Sequence, residues 1–447
     1  MNTPICDFVA QYNAASPLRL HMPGHKGISA LGMEHLDITE IEGADSLFHA
    51  SGIIRESENN AGRLFGCHTL YSTEGSSLCI RAMLYLCMLH AKSQSRKPMI
   101  VAPRNVHTAF VSAAVLLDFE IQWLYPKSPS SSYLSNTITP EQVEEYLSKA
   151  SQIPSALYLT SPDYLGAMAD VHGIAKVCHK YGVLLAVDNA HGAYLKFLPQ
   201  SQHPMDLGAD LCCDSAHKTL PVLTGGAYLH ISYNAPEICF SQAKQALLLF
   251  ASTSPSYLIL QSLDRANIYL DNEFTAQLAY FLPLVAQIKD RLQCIGYTFI
   301  GNEPMKLTIA CKSYGYTGIE VAQYLQSKGI HVEFADRDYL VLMITPQVSA
   351  KGLNQLEEAL GSLSKRNEIP EPAPVPGQVK SHMSPREAAL CPFETVPVAQ
   401  CRGRILARSS VGCPPAVPIV ICGEEIDETA LVCFSYYGIE YCNVVKP

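Results

Sequence analysis

The sequence predicts an α/β protein with a mostly parallel central sheet, a smaller α/β domain and a C-terminal module. The chain has 447 residues, of which 48% are hydrophobic and 16% charged, enough apolar side chains for more than one core. From about residue 75, short apolar runs alternate with stretches of helix length. A Pro-rich segment, residues 369–378, then predicts a linker before the last module.

The central sheet is predicted from apolar and β-branched runs of strand length. These runs are residues 99–102, 121–125, 156–160, 184–187, 211–214 and 227–231. The helices predicted between the earlier runs are 76–89, 106–117, 140–149 and 172–181. Strands that alternate with helices indicate a mostly parallel sheet covered on both faces. Ligands of such sheets bind at the carboxyl ends of the strands, so residues just after each strand are the candidates for function.

The outer parts of the chain differ from this pattern. Residues 1–60 predict an irregular arm with short helices, and residues 255–292 a long helical stretch. A small α/β unit follows, with strands at 306–311, 331–334 and 340–344 and helices at 318–328 and 350–364. The predicted domains are an arm (1–60), a large α/β domain (61–295), a small α/β domain (296–368), and the linker with the C-terminal module (369–447).

Charge and cysteine usage exclude several classes of function. The formal net charge of −9 disfavours nucleic acid or an anionic membrane as the main partner. The 16 cysteines show no CxxC pair and no zinc spacing, so we expect reduced, mostly buried thiols and no metal site. The N-terminus does not resemble a signal peptide, and no run of about 18 apolar residues occurs, so we expect a cytoplasmic protein.

Lys218 is the first candidate for chemistry. It follows an apolar strand by a few residues and precedes a proline and a Gly-Gly pair. A lysine held in a dry crevice can lose its proton, and the neutral amine can attack an aldehyde. The neighbouring Ser215 and His217 can donate hydrogen bonds to a phosphate. The alternative is an ordinary lysine in a surface loop, so other motifs have to decide.

Asp188 ends a predicted strand in the segment LLAVDNAHGAYL. A carboxylate there can pair with a protonated pyridine nitrogen and keep the ring an electron sink, whereas the alternative role is a helix cap. Asp188 and Lys218 each follow a strand, and a parallel sheet would place both at one edge. A carboxylate for the ring nitrogen and a lysine for the aldehyde predict a pyridoxal 5'-phosphate (PLP) site in which Lys218 holds the cofactor as a Schiff base.

Two further motifs are compatible with that site. Glu74, Gly75, Ser76 and Ser77 open an apolar helix, where backbone N–H groups and two hydroxyls can cradle a phosphate. The alternative is a simple serine N-cap. His107 follows the first predicted strand of the sheet and can stack on a planar ring, although a structural histidine is the commoner role.

Taken together, these motifs resemble the ornithine/lysine/arginine decarboxylase family of PLP fold type I, in its shorter Gram-positive-like form. The resemblance runs nearly end to end, and HMPGHK and SxHKTLP are its most specific blocks. The blocks are LRLHMPGHKG (18–27), DITEIEGADSLFHASGIIRESENNAGRLFG (37–66), TSPDYLG (160–166), DNAHGAY (188–194), SAHKTLP (215–221), TSPSYLILQSLD (253–264), SPREA (384–388), ETVPVAQCRGRI (394–405) and PPAVPIVICGEEI (414–426).

The resemblance implies a role for each matching position. Lys218 matches the Schiff-base lysine, Asp188 the carboxylate on the pyridinium nitrogen, His107 the histidine stacked on the ring, and His191 a contact of the ring hydroxyl. These four are the predicted catalytic residues. The other predicted cofactor-binding residues are Glu74, Gly75, Ser76, Ser77, Ser161, Ser215, His217, Ser252 and Ser254. The stretch from Ser252 to Ser254 matches a segment that reaches the neighbouring subunit's cofactor, so a homodimer or a larger homo-oligomer is implied.

The sequence departs from the family pattern at several positions. Asn189 replaces the usual Glu after the pyridinium aspartate, and Tyr194 replaces the last His of that block. The remaining departures are Thr108 and Ala109, Ala216, Glu74, and residues 412–418 in place of PYPPGIP. None removes Lys218 or Asp188, so we expect PLP binding to survive while substrate choice or rate could have changed.

The predicted reaction is α-decarboxylation of arginine, lysine or ornithine, a step that can supply polyamine biosynthesis. Asp45 or Glu424 could bind the charged end of the substrate, although each could equally be a solvated charge or a helix cap. One alternative is another PLP reaction, by an aldolase/lyase or by an aminotransferase in which Arg337 would hold the α-carboxylate. The other is a non-catalytic PLP-binding homologue, suggested by Asn189, Thr108 and the altered phosphate loop.

Overall fold

The computed structural model describes residues 1–127, 131–409 and 415–447. Its helices are α1 (Pro4–Ala14), α2 (Ile53–Phe65), α3 (Gly75–Ser93), α4 (Thr108–Leu117), α5 (Pro140–Lys149), α6 (Val171–Lys180), α7 (Ala216–Thr219), α8 (Glu237–Ser241), α9 (Ala243–Leu248), α10 (Tyr257–Tyr269), α11 (Thr275–Cys294), α12 (Gly318–Ser327), α13 (Ser349–Gly361), α14 (Pro385–Leu390) and α15 (Glu428–Tyr436). Its strands are β1 (His68–Ser72), β2 (Met99–Pro103), β3 (Glu120–Leu124), β4 (Ala156–Thr160), β5 (Leu184–Asp188), β6 (Leu211–Asp214), β7 (Ala227–Ile231), β8 (Phe299–Ile300), β9 (Lys306–Ala310), β10 (Phe334–Ala335), β11 (Tyr339–Met343), β12 (Phe393–Pro397), β13 (Leu406–Arg408) and β14 (Tyr441–Val445).

The chain folds into two compact units that interleave along the sequence. The first comprises residues 1–98 and 171–279, and the second residues 99–170 and 280–447. The four predicted domains are consecutive stretches of the chain, and that division stays a prediction.

The first unit contains four adjacent strands in the order β1-β7-β6-β5. Strands β5 and β6 are parallel, whereas β7 runs antiparallel to both β6 and β1. Every residue of β5, β6 and β7 is buried, as expected for apolar runs covered on both faces. Helix α3 packs against β6 and β7, and α2 packs against β1.

The second unit contains strands β4, β2 and β3, in which β2 pairs in parallel with both neighbours. A separate antiparallel sheet has the order β10-β11-β9-β8, and the C-terminal module has a third sheet, β12-β14-β13. The module has its own core, in which residues such as Ile426, Phe434 and Val444 are buried.

The predicted α/β class and the six strands of the central sheet are confirmed, with bounds that differ by at most one residue. Helix α4 begins at Thr108, two residues later than predicted, because the His107 side chain accepts a hydrogen bond from the Ala109 N–H and caps the helix. The strand predicted at 331–334 is wrong except at its last residue. The strand begins at Phe334, where Phe334 and Ala335 pair with β11, and it ends at once because the chain turns at Asp336, whose N–H donates to the Tyr339 carbonyl.

The prediction for residues 1–60 is only partly right. Residues 15–52 contain no α-helix, but α1 has 11 residues and α2 has 13, longer than the short helices expected. Strand β1 was not predicted. The cysteines within the described ranges are free, and most are buried. Over the same ranges, no helix combines the length and apolar character needed to cross a membrane.

Candidate functional site

The candidate site lies where β5 and β6 end. Asp188 is the last residue of β5, and Asp214 is the last residue of its parallel neighbour β6. Helix α7 follows β6 directly and carries Lys218, whose Nζ lies 2.9 Å from Nε2 of His191. The structure therefore brings three of the four predicted catalytic residues, Lys218, Asp188 and His191, to one edge of the first unit.

Asp188 is held in a nearly dry environment. The residue is 2% exposed, and its Oδ1 accepts hydrogen bonds from the Ala190 N–H (3.2 Å) and the Cys213 thiol (3.7 Å). The next helical turn begins at Ala193 and has Gly192 at its N-cap, so Asp188 is not a helix cap. A buried carboxylate at a strand end is suited to hold a proton on a bound heterocycle.

Hydroxyl groups from two elements meet at the start of α3. The Ser215 hydroxyl donates a hydrogen bond to Oγ of Ser76, with 2.7 Å between the oxygens. The Gly75 N–H donates to the Gly225 carbonyl (2.7 Å), so this amide is already used within the protein. Ser77 lies in the first turn of the same helix, whose amides have no intrahelical acceptor. The segment thus offers hydroxyls and helix-start amides to an anion.

The other residues of this unit that were predicted to contact the phosphate form hydrogen bonds within the protein. Both N and Nδ1 of His217 lie within hydrogen-bond distance of the Gly226 carbonyl, at 3.1 and 3.0 Å. Glu74 accepts a hydrogen bond from the Ser252 N–H (2.7 Å), which joins the predicted phosphate loop to the 252–254 segment. The Ser254 N–H donates to the Ser252 hydroxyl, and both serines are exposed.

His107 and Ser161 belong to the second unit. His107 caps α4, and the Ser161 hydroxyl accepts a hydrogen bond from the Ala169 N–H (3.0 Å). Their predicted contacts with the cofactor stay predictions. Residues 412–414, part of the departure from PYPPGIP, lie outside the described residues.

The sequence analysis missed a group of buried polar residues around Asp214. Its Oδ2 accepts hydrogen bonds from Nε2 of His203 and Nε2 of His230, both at 3.0 Å, and its Oδ1 accepts one from Nδ2 of Asn189 at 2.7 Å. All four side chains are inaccessible to solvent. Burial alone would raise the pKa of Asp214, but the two imidazoles outweigh it and lower this pKa. One signal was visible, because Asp214 ends an apolar strand as Asp188 does.

The two carboxylates considered for the substrate's charged end have structural roles. Asp45 accepts backbone N–H bonds from Ser46, Ser51, Gly52 and Ile54, so it caps the start of α2. Burial raises its pKa, but these hydrogen bonds outweigh burial and lower it.

Glu424 and Arg337 are also engaged with protein groups. Glu424 is 1% exposed and forms a two-point ion pair with Arg104, at 2.8 and 3.1 Å. Arg337, the candidate carboxylate ligand of an aminotransferase, donates to Glu371 (3.0 Å) and lies over the ring of Tyr436. Both charges are thus paired within the protein, and their roles toward a substrate stay predictions.

The residues at this edge fit PLP. Lys218 provides an amine for the aldehyde, Asp188 a buried carboxylate for the ring nitrogen, and Ser76 and Ser215 hydroxyls for the phosphate. Lys218, Asp188, Ser76 and Ser215 therefore form a chemically consistent set within the first unit.

Comparisons with known proteins agree with this arrangement. Residues 3–298 match the model of the Orn/Lys/Arg decarboxylase major domain, and residues 367–440 match that of the C-terminal domain. The chain is 30% identical to the arginine decarboxylase of Bacillus subtilis over 95% of this chain and 91% of that protein. It is also 30% identical to the arginine decarboxylase of Halalkalibacterium halodurans, over 96% of this chain and 92% of the relative.

Solved structures share the fold. The lysine decarboxylase of Francisella novicida superposes with a TM-score of 0.80 at 17% identity, covering 99% of this chain and 81% of that one. The constitutive lysine decarboxylase of Escherichia coli gives a TM-score of 0.77 at 17% identity, over 100% and 82%. The expected fold type I is thereby confirmed. The chain belongs to the Orn/Lys/Arg decarboxylase family, a family of amino-acid decarboxylases, and is a lyase of that type.

Proposed function

We propose that this chain is a PLP-dependent decarboxylase of a basic amino acid, with arginine as the first substrate to test. The observation that carries the proposal is the placement of Asp188 at the end of β5 and of Lys218 just after the parallel neighbour β6, with His191 2.9 Å from Lys218 Nζ. The choice of arginine rests on two relatives, from B. subtilis and H. halodurans, that are arginine decarboxylases. This chain matches each of them over nearly its whole length. The amine formed would be a precursor for polyamines.

The residues at the edge divide the work of such a reaction. Lys218 would hold the cofactor through its amine, and His191 is close enough to exchange a proton with Nζ. Asp188 would keep a proton on the ring nitrogen, since its own surroundings exclude water. PLP, when bound, supplies a ring that takes up the electron pair left by the departing carboxylate. Lys218 Nζ is then the group placed to return a proton to the substrate's α-carbon.

The proposal also includes a homo-oligomer. Between residues 18 and 31, the arm exposes Leu18 (84%), Leu20 (83%), Ile28 (75%) and Leu31 (83%). Exposed apolar side chains this close in sequence are typical of an interaction surface. A second copy of the chain is the partner that we propose, because the family resemblance implies active sites shared between subunits. Light scattering after size-exclusion chromatography tests this directly, and a monomer at micromolar concentration would contradict it.

The function is tested by absorption spectroscopy and a substrate panel. The purified protein, supplied with PLP, should show a visible cofactor band and release carbon dioxide from arginine, lysine or ornithine. A band with keto-acid formation, or with no turnover of any of the three, would replace the decarboxylase proposal by another PLP reaction or a non-catalytic homologue. The absence of any band after addition of PLP would contradict the assignment of Lys218.

A further inference from the structure

The buried group around Asp214 lies on the face of the strands opposite to Asp188. In the β5–β6 register Asp188 pairs with Cys213, so their side chains share one face, and the Cys213 thiol contacts the Asp188 carboxylate. Successive side chains of a strand alternate between faces, so Asp214 points to the other one. There it meets His230 of β7, whose register partner on β6 is Cys212.

The hydrogen bonds place a proton of each imidazole toward Asp214. The Met205 N–H donates to Nδ1 of His203 (3.3 Å), so this nitrogen carries no proton and Nε2–H donates to Asp214. Nε2–H of His230 donates to the same carboxylate, and its Nδ1 lies 2.9 Å from the Thr69 hydroxyl. With Nδ2 of Asn189 as a third donor, the carboxylate is satisfied on both oxygens.

The tautomer of His203 argues against a metal ion bound by His203, Asp214 and His230 together. His203, Asp214 and His230 do have ligand atoms within 4.8 Å of one another and are buried. A metal on Nε2 of His203 would, however, require a proton on Nδ1, which would then face the Met205 N–H. The donor arrangement is that of a hydrogen-bonded carboxylate. The rings of Phe65 and Tyr228 pack around it, 4.5 and 5.5 Å from the ring of His230, and exclude water.

The group ties together the chain segments that carry the predicted cofactor residues. Asn189 follows Asp188 directly, and Asp214 precedes Ser215 and the Lys218 helix. The Asn189–Asp214 bond continues the β5–β6 pairing one residue beyond the ladder, beside the backbone bond from the Asn189 N–H to Cys213. His230 extends the connection to Thr69 on β1.

We propose that Asn189, His203, Asp214 and His230 form a buried clamp that sets the spacing of Asp188 and Lys218 from the opposite face of the strands. They are positioning residues, and this inference rests on the proposed function. With a carboxylate at 214 that already accepts hydrogen bonds from both imidazoles, the neutral amide of Asn189 supplies a third donor, whereas an acid at 189 would repel it.

Gly192 supports the assignment. A Cβ at this position would lie 2.0 Å from Oδ1 of Asn189, far below any normal contact. The Asn189 amide is therefore held with its carbonyl oxygen against Gly192 and its Nδ2 toward Asp214, and the glycine of the DNAHGAY block leaves space for this orientation.

The test exchanges donor and acceptor. In Asn189→Asp, two carboxylates meet, and we expect the dissociation constant for PLP to rise about tenfold, a typical coupling within one hydrogen-bond network. The pH midpoint of the cofactor band should shift upward, because the added negative charge favours the protonated form of the Lys218 adduct. In the double variant Asn189→Asp/Asp214→Asn, the amide at 214 donates to the acid at 189. The dissociation constant for PLP should return to within about threefold of the wild-type value, and the pH midpoint to within about half a pH unit.

The matched control is Asp210→Asn. Asp210 is 6% exposed, lies just before β6 at its opposite end, and accepts hydrogen bonds from the Leu185 N–H (2.7 Å) and His179 (3.1 Å). This variant should lower the melting temperature of the PLP-free protein while leaving PLP affinity and the pH midpoint unchanged. The same melting measurement on Asn189→Asp separates loss of fold from loss of positioning.

Three results would overturn the clamp alone. The first is that the effects of the two substitutions in the double variant are additive. The second is that Asp210→Asn loses as much PLP affinity as Asn189→Asp when both lose the same melting temperature. The third is a stoichiometric metal in the purified protein that His203→Gln removes. If the wild-type protein shows no cofactor band at all, the proposed function fails first and the clamp with it.

Discussion

Two buried carboxylates of this protein can be compared directly, Asp214 in the first unit and Glu424 in the second. Each has donors on both oxygens, but the donors differ in kind. Glu424 faces the permanently charged Arg104, whose guanidinium also lies 4.5 Å from the centre of the Trp123 ring. Asp214 is held by two imidazoles and an amide. Complete pairing therefore does not by itself distinguish a structural charge from one beside a site.

What separates the two is their neighbours. Asp214 is four residues from Lys218 and is bonded to the residue after Asp188, so a change there is transmitted to the predicted cofactor residues. Glu424 binds the Arg104 side chain and the Ile421 N–H, which are contacts within the second unit. We therefore expect changes around Asp214 to alter cofactor binding and changes to the Glu424–Arg104 pair to alter stability.

The largest expected effect is that of Lys218→Ala. Because Lys218 Nζ is the amine that lies beside His191, we expect complete loss of the cofactor band and of carbon dioxide release, with the PLP-free protein still folded. Absorption spectra and thermal melts check this. Lys176→Ala, an exposed lysine on α6, is the matched control and should behave as the wild type. A full cofactor band in Lys218→Ala would contradict the assignment of Lys218 as the residue that holds the cofactor.

Glu424→Ala should act on stability. It leaves the Arg104 guanidinium buried without its counter-charge, which typically costs about 3–5 kcal/mol. Urea unfolding should show this loss, while the dissociation constant for PLP in the folded protein stays at the wild-type value. The double variant Arg104→Met/Glu424→Leu removes both charges and should regain most of the stability. A lost cofactor band in a folded Glu424→Ala protein would contradict the division.

Asp45→Ala should have a smaller effect on folding. The variant removes the acceptor for the first amides of α2, a loss of about 1 kcal/mol for a helix cap. Asp45→Asn retains a capping oxygen and should lose less. Urea unfolding of both variants measures the difference. An unchanged stability with a large loss of arginine turnover would instead restore Asp45 as a substrate ligand.

Asp336 sharpens the comparison through the sign of its pKa shift. Its Oδ1 accepts two backbone N–H bonds, but its buried Oδ2 has no hydrogen-bond partner, and burial raises its pKa to about 6. The folded state therefore binds a proton more tightly than the unfolded state, so this group's contribution to stability falls as pH rises from about 4 to 6. Melting temperatures of Asp336→Asn over this range should decline less than those of the wild type; an identical decline would contradict the assignment.

The parts that sequence could predict are those encoded by local pattern. Strands β5 and β6 are continuous apolar runs that end in an acid, so their carboxyl ends could be identified as the candidate site. The partners of Asp214 could not, because His203 is 11 residues and His230 16 residues away, and only the β6–β7 pairing brings His230 to it. The Arg104–Glu424 pair spans 320 residues, which no local pattern reveals.

The helix cap of Asp45 illustrates an intermediate case. The acid precedes the helix by several residues, and its carboxylate reaches the helix amides as far as Arg55, ten residues away. A cap was among the alternatives for this residue, but a loop of this length gives no sequence signal for where the carboxylate will point. Tertiary folding of the arm, rather than propensity, decided its role.

The central claim is that Lys218 is the residue that holds PLP. The direct measurement is borohydride reduction of the PLP-loaded protein, followed by digestion and mass spectrometry of the labelled peptide. We predict a single phosphopyridoxyl group on Lys218 and none on Lys218→Ala. A label on another lysine, or no label under conditions in which the wild-type protein decarboxylates its substrate, would contradict the account.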